Sequence, residues 1–520
     1  MKLRIAASYS ALAACAILAL PTAASAWQSD NGDGTFTNPP LYADYPDPDI
    51  IRVKDDFFFV TTTFVNSPAL RLLHSKDLVN WEIVTHIIPR LDGNPKYDLE
   101  DGGDYRRGMF APSLRYRDGV FYVAVTPVGQ ATRIYRSEKP EGPWTFREIG
   151  VEAFDPALHF EPDGSAYILS SACSDGTLSL FTLNEGLDAV TAQENIYFNK
   201  GAEGSKLIRR GEWYYLFNAI PSRLGMTVSR ARDLRGPWET RNQIDTQSGG
   251  HQGALVDLPD GRWYGFAHRD SGAIGRMTQI SPIYWEDDWP VWGTPDAPMQ
   301  VPAVAAKPVQ GQAVAQPETS DEFDSPRLGL QWAWNHNPDN SLWSLAQRQG
   351  WLRLKATKAD ELWTARNTIT QKGQGPWSSA VVKMDLSNLR PGDVCGFGSL
   401  GKFCGGIVVF CEQDGSLSLG MEIVEDTPEG RFVRNSAARL PLERGIVYLR
   451  TKMDFEAASA RCSYSLDGLT WTEHGGVFPL AYDWRTGTFQ GPQYAVFCYN
   501  AAPDGGYVDV DWFHFSDRRE

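Results

Sequence analysis

Residues 210–216 read RGEWYYL, a short charged turn with a glycine followed by aromatic residues suited to a β-strand. The same shape recurs four times, and aligning the aromatic position of each unit gives spacings of 63, 45, 48 and 49 residues. Blocks of this length are typical of a β-propeller with one four-stranded blade per repeat. Five units therefore predict a five-bladed propeller; the others are 54–60 (KDDFFFV), 117–123 (RDGVFYV), 162–168 (PDGSAYI) and 259–265 (PDGRWYG).

A second repeat supports this interpretation. Trp81, Trp144 and Trp238 each follow a short turn and close a strand pair, twice in a Gly-Pro-Trp sequence. A β-sandwich with regular hairpins is the alternative, but its strands would recur every 8–12 residues rather than in blocks of about 45. We therefore assign residues 27–302 to the propeller.

A chain of 520 residues is long enough for more than one domain. Residues 303–320 (AVAAKPVQGQAVAQPETS) are rich in Ala, Gln, Val and Pro, which predicts a linker. From 321 to 520 alternating strand patterns return, as in 406–410 (GIVVF) and 507–513 (YVDVDWF). This pattern predicts a jelly-roll, concanavalin-like β-sandwich, so the whole chain is expected to be all-β.

The first 26 residues have the pattern of a signal peptide. Lys2 and Arg4 precede a largely apolar segment, and 24–26 (ASA) is a small-residue cleavage site. A lipoprotein signal ending at Cys15 is the alternative. No later segment approaches the roughly 20 apolar residues that span a bilayer, so we expect a secreted or periplasmic protein without a membrane anchor.

The formal net charge is −15, which argues against nucleic acid or an anionic membrane as a partner. A neutral ligand such as a carbohydrate is compatible with this charge. The 18 Trp, 20 Tyr and 25 Phe residues would serve either β-sheet cores or sugar stacking. The oligomeric state is left open.

Six cysteines remain beyond the signal peptide, and none lies in a Cys-x-x-Cys pair, which argues against a zinc site. Export would permit disulfides. Cys395 and Cys404 are spaced to close a hairpin, but spacing alone leaves the pairing open.

Three acidic residues occupy equivalent positions in the repeat. Asp47, Asp155 and Glu203 each precede the aromatic position of their unit by 12 residues. Equivalent positions in different blades lie at equal radius and depth, so we expect these carboxylates to face one another at one mouth of the channel. Glycosidic cleavage needs such a pair of carboxyl groups. For Asp47, between Pro46 and Pro48, an ordinary proline-rich surface turn is the alternative.

These residues resemble glycoside hydrolase family 43. The segment through 46–48 (PDP) is similar to the motif that carries the general base, which implies that role for Asp47. Residues 154–158 (FDPAL) resemble the motif whose Asp orients the acid and raises its pKa, and 202–204 (AEG) the motif of the general acid. The resemblance thus implies an inverting hydrolase with Glu203 as acid and Asp155 as modulator. The base and acid carboxyls would then lie roughly 6.5–9.5 Å apart.

The resemblance extends to substrate contacts and to the second domain. Residues 250–253 (GHQG) resemble a motif near the channel axis, which implies contacts from His251 and Gln252, with His251 a possible ligand of a structural calcium ion, directly or through water. Arg276 resembles a substrate-contacting arginine, and Phe110 stands where the family often has Trp. His251 as a structural histidine and Arg276 as a carboxylate partner are the alternatives. Residues 321–338 resemble the start of the family's C-terminal sandwich.

The resemblance implies release of xylose or L-arabinofuranose from hemicellulose-type substrates, with no cofactor required. A lectin-like propeller without turnover and an endo-acting arabinanase are the alternatives. The sandwich could lend a loop to the pocket, with 487–494 as the candidate, or could instead be a packing partner or a carbohydrate-binding module.

Overall fold

A computed structural model of the chain describes residues 27–172, 175–244 and 250–519, with backbone alone for 434–436. The predicted signal peptide (1–26) and Cys173 lie outside the described residues. Within them, no helix is long and apolar enough to cross a membrane. The predicted all-β class is confirmed, since the described helices are single 3-10 turns: Pro95–Asp98, Pro221–Arg223, Gly272–Ile274 and Leu362–Thr364.

A short strand, β1 (Thr35–Thr37), is followed by five antiparallel sheets, each built from consecutive strands. These sheets are the five predicted blades. Blade 1 comprises β2 (Asp49–Val53), β3 (Asp56–Val60), β4 (Ala69–Ser75) and β5 (Trp81–Ile88); blade 2 comprises β6 (Met109–Arg117), β7 (Val120–Pro127), β8 (Arg133–Ser137) and β9 (Thr145–Glu148); blade 3 comprises β10 (Ala157–Phe160), β11 (Ala166–Ser171), β12 (Thr177–Leu183) and β13 (Val190–Phe198); blade 4 comprises β14 (Glu203–Arg210), β15 (Trp213–Ile220), β16 (Gly225–Ala231) and β17 (Glu239–Ile244); blade 5 comprises β18 (His251–Asp257), β19 (Trp263–Asp270), β20 (Arg276–Glu286), β21 (Trp289–Thr294) and β22 (Ala297–Pro298).

The first strands of the five blades form the wall of the central channel. Strands β2, β6, β10, β14 and β18 contact one another in sequence, and β18 contacts β2 to complete the circle. Every blade has the same strand order, so all five inner strands begin at the same mouth. Residues just before these strands are therefore brought together there, however far apart they lie in sequence.

The propeller ring is closed by the segments before and after it. Strand β1 pairs with β23 (Val304–Ala306), which lies within the segment predicted as a linker. Asn38 adds a side-chain clamp: its Nδ2 donates to the carbonyls of Ile280 and Pro302, both at 2.8 Å, and its Oδ1 accepts from the backbone N–H of Ile280. The exact domain boundaries stay a prediction.

The C-terminal part is the predicted β-sandwich of two sheets. Alternate residues of the long strands face inward, and Phe397, Leu449 and Phe513 are fully buried between the sheets. One sheet contains β24 (Ala333–Trp334), β27 (Thr357–Lys358), β28 (Ile369–Lys372), β30 (Asp393–Leu400), β31 (Phe403–Cys411), β32 (Leu417–Thr427), β33 (Gly430–Leu442) and β38 (Gln493–Asn500); the other contains β25 (Trp343–Ser344), β26 (Leu352–Lys355), β29 (Trp377–Asp385), β34 (Ile446–Asp454), β35 (Ser459–Ser465), β36 (Thr472–Glu473), β37 (Phe478–Pro479) and β39 (Tyr507–Ser516).

The five cysteines in the described part of the chain are buried free thiols. Cys395 and Cys404 do not close a hairpin disulfide. On β30, Cys395 lies opposite Cys498 of β38, while Cys404 on β31 lies opposite Val424 of β32.

The sandwich docks against blade 1 and the segments on either side of it, where Ala43 pairs with Gln374 and Leu91 contacts Asn337. Ser67 and Trp334 exchange backbone hydrogen bonds. The amide of Asn337 is paired to the backbone of Leu91 through both its oxygen and its nitrogen. This docking carries the end of the loop before β38 to the mouth at which the acidic residues lie.

Candidate active site

The three acids predicted from the repeat lie together at one mouth of the channel. Asp47 and Asp155 each stand two residues before an inner strand, β2 and β10, and Glu203 is the first residue of β14. The Oδ2 atom of Asp155 accepts from the backbone N–H of Gly204 at 3.0 Å, next to Glu203. The charges of Glu203 and Asp47 both act on Asp155. Blades 1, 3 and 4 thus bring these carboxylates into one electrostatic group.

The backbone of Asp47 is held in an unusual conformation. Its φ of 52° lies in the left-handed region, which an Asp residue tolerates better than most. Its backbone N–H donates to Nδ1 of the fully buried His268 at 2.8 Å. The flanking Pro46 and Pro48 restrict the chain further, as the sequence suggested. The direction of the Asp47 side chain is therefore set before any substrate binds.

Both carboxylate oxygens of Asp47 accept hydrogen bonds. Arg276 donates from Nη1 to Oδ1 at 2.9 Å, and Thr62 donates from Oγ1 to Oδ2 at 2.6 Å. Thr62 is oriented in turn, because its Oγ1 accepts from the backbone N–H of Ala111 at 2.7 Å. Arg276 thus pairs with a carboxylate, and the carboxylate is that of the predicted base. Only 4% of Asp47 is exposed, so these donors replace water around it.

Asp155 carries the clearest electrostatic perturbation at this mouth. Burial raises its pKa well above the ordinary value, and the negative charges of Glu203 and Asp47 raise it further. The Lys206 ammonium and the hydrogen bond from Gly204 lower the pKa, but they do not balance the three opposing causes. Because coupling between neighbouring carboxyls is mutual, Asp155 and Glu203 together retain a proton to higher pH than an isolated carboxyl would.

His251 lies beside a second histidine rather than in a set of oxygen ligands. The nearby His268 and Asp270 complete the group, with potential ligand atoms all within 4.8 Å of one another. His251 Nε2 lies 3.4 Å from Asp270 Oδ1, and its Nδ1 has no partner among the described residues. Calcium takes six to eight oxygen ligands, and this group supplies one carboxylate. The described residues therefore do not fit a calcium ion held by protein ligands alone.

The hydrogen bond from Asp47 also fixes the tautomer of His268. Nδ1 accepts that bond, so in the neutral ring the proton must be on Nε2, which has no partner among the described residues. Burial lowers the pKa of His268 well below its usual value, and the charges of His251 and Arg276 lower it further. The ring therefore stays neutral, with Nδ1 already accepting from Asp47 and Nε2 protonated, so neither nitrogen offers a free lone pair. This arrangement disfavours a cation between the two rings.

Gln252 is placed beside the predicted acid. It adopts a φ of 55°, and its side chain packs so closely on Gly204 that a Cβ there would lie 2.7 Å from the Gln252 Cδ. Its Nε2 is buried and has no partner among the described residues. An unpaired amide next to Glu203 is suited to a substrate hydroxyl.

Aromatic rings form an arc beside these acids. Phe110 contacts Phe154 and Phe64, with ring centroids 6.3 and 5.8 Å apart. Phe64 contacts Phe489 at 4.8 Å, and the guanidinium of Arg276 lies 4.7 Å from the Phe489 ring. Phe489 belongs to the sandwich, within the 487–494 segment considered from the sequence. The second domain therefore contributes directly to the catalytic mouth.

Asp44 ties this sandwich loop to the propeller. Its Oδ1 accepts from the backbone N–H of Arg276 at 2.7 Å, and its Oδ2 accepts from that of Gly491 at 3.2 Å. Lys372 of the sandwich brings its ammonium to 3.8 Å from the same carboxylate. One buried carboxylate thus sets the position of both Arg276 and the Phe489 loop.

All seven residues proposed from the sequence lie in this region, but sequence reasoning missed several of their supports. Thr62 and His268 carry no motif that would single them out, because Thr62 reaches Asp47 from the loop after β3 and His268 reaches it from blade 5. Asp44, three residues before Asp47, was assigned no function from the sequence.

A five-bladed propeller with converging carboxylates at one mouth defines a glycosidase. A sequence profile described as Glycosyl hydrolases family 43 matches residues 36–290, and one described as Beta xylosidase C-terminal Concanavalin A-like domain matches residues 320–516. A putative beta-xylosidase of Xylanibacter ruminicola is 32% identical over 470 residues, which cover 87% of this chain and 85% of that protein. The chain belongs to glycosyl hydrolase family 43.

Two further similarities bear on its organisation. A non-reducing end alpha-L-arabinofuranosidase of Bacteroides ovatus is 33% identical over 353 residues, or 62% of this chain and 65% of that protein. A solved structure of a bifunctional GH43-CE protein of Bacteroides eggerthii matches with a TM-score of 0.85 at 34% identity. That match covers 93% of this chain, which spans 64% of the length of the bifunctional chain.

Replacing Asp155 by Asn should stabilise the fold at neutral pH. A raised native pKa means that the native state loses stability as pH rises from the unfolded value of 3.8 through the native one, and Asn removes this loss. We expect a gain of about 1–3 kcal/mol at pH 7 that disappears below about pH 4. Urea unfolding of both proteins across this pH range measures it.

Asp118→Asn is the matched control, because Asp118 is an exposed acid in a turn of blade 2. An Asp155→Asn protein that is no more stable than wild type at pH 7, or whose gain is the same at pH 4, would contradict the electrostatic account.

Proposed function

We propose that the protein is an inverting, exo-acting glycosidase that releases xylose or L-arabinofuranose from hemicellulose-type chains. The observation that carries this proposal is the group formed by Asp47, Asp155 and Glu203 at one mouth, with Asp47 oriented by Arg276 and Thr62 and Asp155 by the Gly204 N–H. The relatives named as a xylosidase and an arabinofuranosidase support a pentose as the sugar released.

In this mechanism Asp47 is the general base. Its oxygens are held by Arg276 and Thr62, so the carboxylate keeps one orientation towards the water that attacks the anomeric carbon. The proton of that water passes to Asp47 as the new C–O bond forms. The neutral His268 holds the Asp47 backbone but takes no proton.

Glu203 is the general acid, and Asp155 keeps it protonated. Like-charge repulsion between Asp155 and Glu203 disfavours the state in which both are ionised, so the two carboxyls retain one proton between them. In this proposal the proton is on Glu203 when substrate binds, and the Gly204 N–H, which donates to Asp155 Oδ2, then stabilises the Asp155 carboxylate. Glu203 donates its proton to the leaving oxygen as the glycosidic bond breaks.

The aromatic arc favours exo action over the endo-arabinanase alternative. Phe489 lies over Arg276 and against Phe64, so the sandwich covers one side of the catalytic mouth. An endo-acting enzyme needs an open groove that admits chain on both sides of the cleaved bond. A wall of this kind suits a pocket for a terminal sugar.

We propose further that catalysis requires no metal ion. The supporting observation is that His268 presents an N–H and Asp270 is the one carboxylate of the His251 group. Dialysis against EDTA should leave kcat unchanged within about twofold, and added Ca²⁺ should not raise it. Loss of activity that Ca²⁺ restores would contradict this proposal.

Variants at the base and the acid should differ in their dependence on the leaving group. Asp47→Asn is expected to lower kcat about 10²–10⁴-fold on every substrate. Glu203→Gln should lower kcat by a similar factor on oligosaccharides. On an aryl glycoside with an acidic phenol it should lower kcat far less, because such a leaving group needs no proton. Kinetics on 4-nitrophenyl xylopyranoside and arabinofuranoside, with xylan and arabinan oligosaccharides, measure this.

Asp118→Asn is the control for the charge change, and it should retain wild-type kinetics. Wild-type activity in both catalytic variants would end the enzymatic assignment in favour of a lectin-like propeller. An equal loss for Glu203→Gln on all leaving groups would show that Glu203 is not the acid.

A further inference from the structure

Trp484 differs from every other tryptophan of the protein. All 18 lie in the described part of the chain, and Trp484 alone is among the exposed large hydrophobic residues, with 56% of its surface accessible. The others are buried or half-buried in the two domains. An exposed indole of this size offers an apolar face on which a ligand ring can pack.

The loop that carries Trp484 is held by an extensive set of hydrogen bonds. Asp483 accepts from the Arg485 backbone N–H at 2.9 Å, and its other oxygen receives the Lys402 ammonium at 3.0 Å. Further along, the Gly487 N–H donates to Asp426 at 2.6 Å. The exposed ring therefore stands on a braced turn, not on a free chain end.

Both ends of this braced loop lie at the catalytic mouth. Tyr482, two residues before Trp484, is close enough to Arg276 and Asp47 for their charges to act on its hydroxyl. Phe489, five residues after it, stacks on Tyr482 with ring centroids 6.2 Å apart and contacts Arg276. Two residues of extended chain span at most about 7 Å, so Trp484 lies at the rim of the site that Tyr482 enters.

We propose that Trp484 is a stacking platform for the leaving-group side of a bound oligosaccharide, at the rim of the catalytic site. This inference rests on the proposed function and adds a determinant of chain-length preference to it. The terminal sugar would lie beside the acids, so the remaining sugars would extend outward past the loop. The Arg485 guanidinium lies 4.6 Å from the centre of the Trp484 ring and steadies it. The C–H face of a sugar ring then packs on the indole, as apolar rings pack on one another.

Trp484→Ala should therefore weaken the binding of long substrates selectively. We expect KM for a linear tetrasaccharide to rise about three- to tenfold, with kcat/KM on a 4-nitrophenyl monosaccharide within about twofold of wild type. Trp484→Phe should recover part of the affinity, because it keeps an aromatic face. Steady-state kinetics on a series from one to four sugars measures both effects.

Trp471→Ala is the matched control. Trp471 is also a sandwich tryptophan with an arginine over its ring, the Arg450 guanidinium at 4.2 Å, and it lies directly before β36. It should behave as wild type on all chain lengths. The proposal is overturned if Trp484→Ala leaves the tetrasaccharide KM unchanged, or if it lowers kcat/KM on the 4-nitrophenyl monosaccharide as much as on the tetrasaccharide. A wild-type protein inactive on every glycoside would instead refute the proposed function itself.

Discussion

The crowding of three carboxylates at one end of a closed ring is the constraint on which the rest of the site depends. Burial and two neighbouring charges raise the pKa of Asp155, and a protein that buries such a group must offset its cost elsewhere. Lys206, almost fully buried and anchored by its Nζ on the Pro112 carbonyl at 2.6 Å, supplies a compensating charge. Arg276 does the same for Asp47. The remaining repulsion among the three carboxylates favours a state in which one carboxyl is protonated and another is ionised, as the proposed acid and base require.

Among the contacts between the two domains, one buried carboxylate links the acidic site of the propeller directly to a loop of the sandwich. Asp44 binds the backbone of Arg276 on one side and that of Gly491 on the other. Arg276 in turn holds Asp47, and the Gly491 loop presents Phe489. The position of Asp47, the proposed base, and the shape of the pocket wall are therefore set by the same contact. A role for the sandwich as a detached binding module alone does not fit this geometry.

The repeat was sufficient to predict the blades and the three acids, for a physical reason. Each acid stands at or just before the first strand of its blade, and the aromatic position lies in the second strand. The fixed offset between them therefore spans one inner strand and one turn. Asp47 and Asp155 stand two residues before their strands, whereas Glu203 begins β14, and an irregularity in pairing between Glu203 and Lys206 absorbs the difference. A hairpin is formed by residues close together in the chain, so its pattern can be recognised in the sequence.

The supports of these acids could not be predicted in the same way. Thr62 acts on Asp47 from the loop after β3 and His268 acts on it from β19, and no repeated spacing relates them to it. The thiols show the same limit: Cys395 and Cys404 are close in sequence, yet the neighbour of Cys395 across the sheet is Cys498, about a hundred residues later. Which residues contact one another across blades and sheets depends on the topology, and the sequence pattern predicts the strands but not these contacts.

The stereochemistry of the first product tests the central claim most directly, because a base that activates water on the face opposite the leaving group must invert the anomeric carbon. Proton NMR of freshly cleaved aryl β-D-xylopyranoside, recorded before mutarotation, resolves the two anomers of the released sugar. The account predicts that the α-anomer appears first. Initial release of the β-anomer would show retention, and Asp47 would then have to be a nucleophile rather than a base.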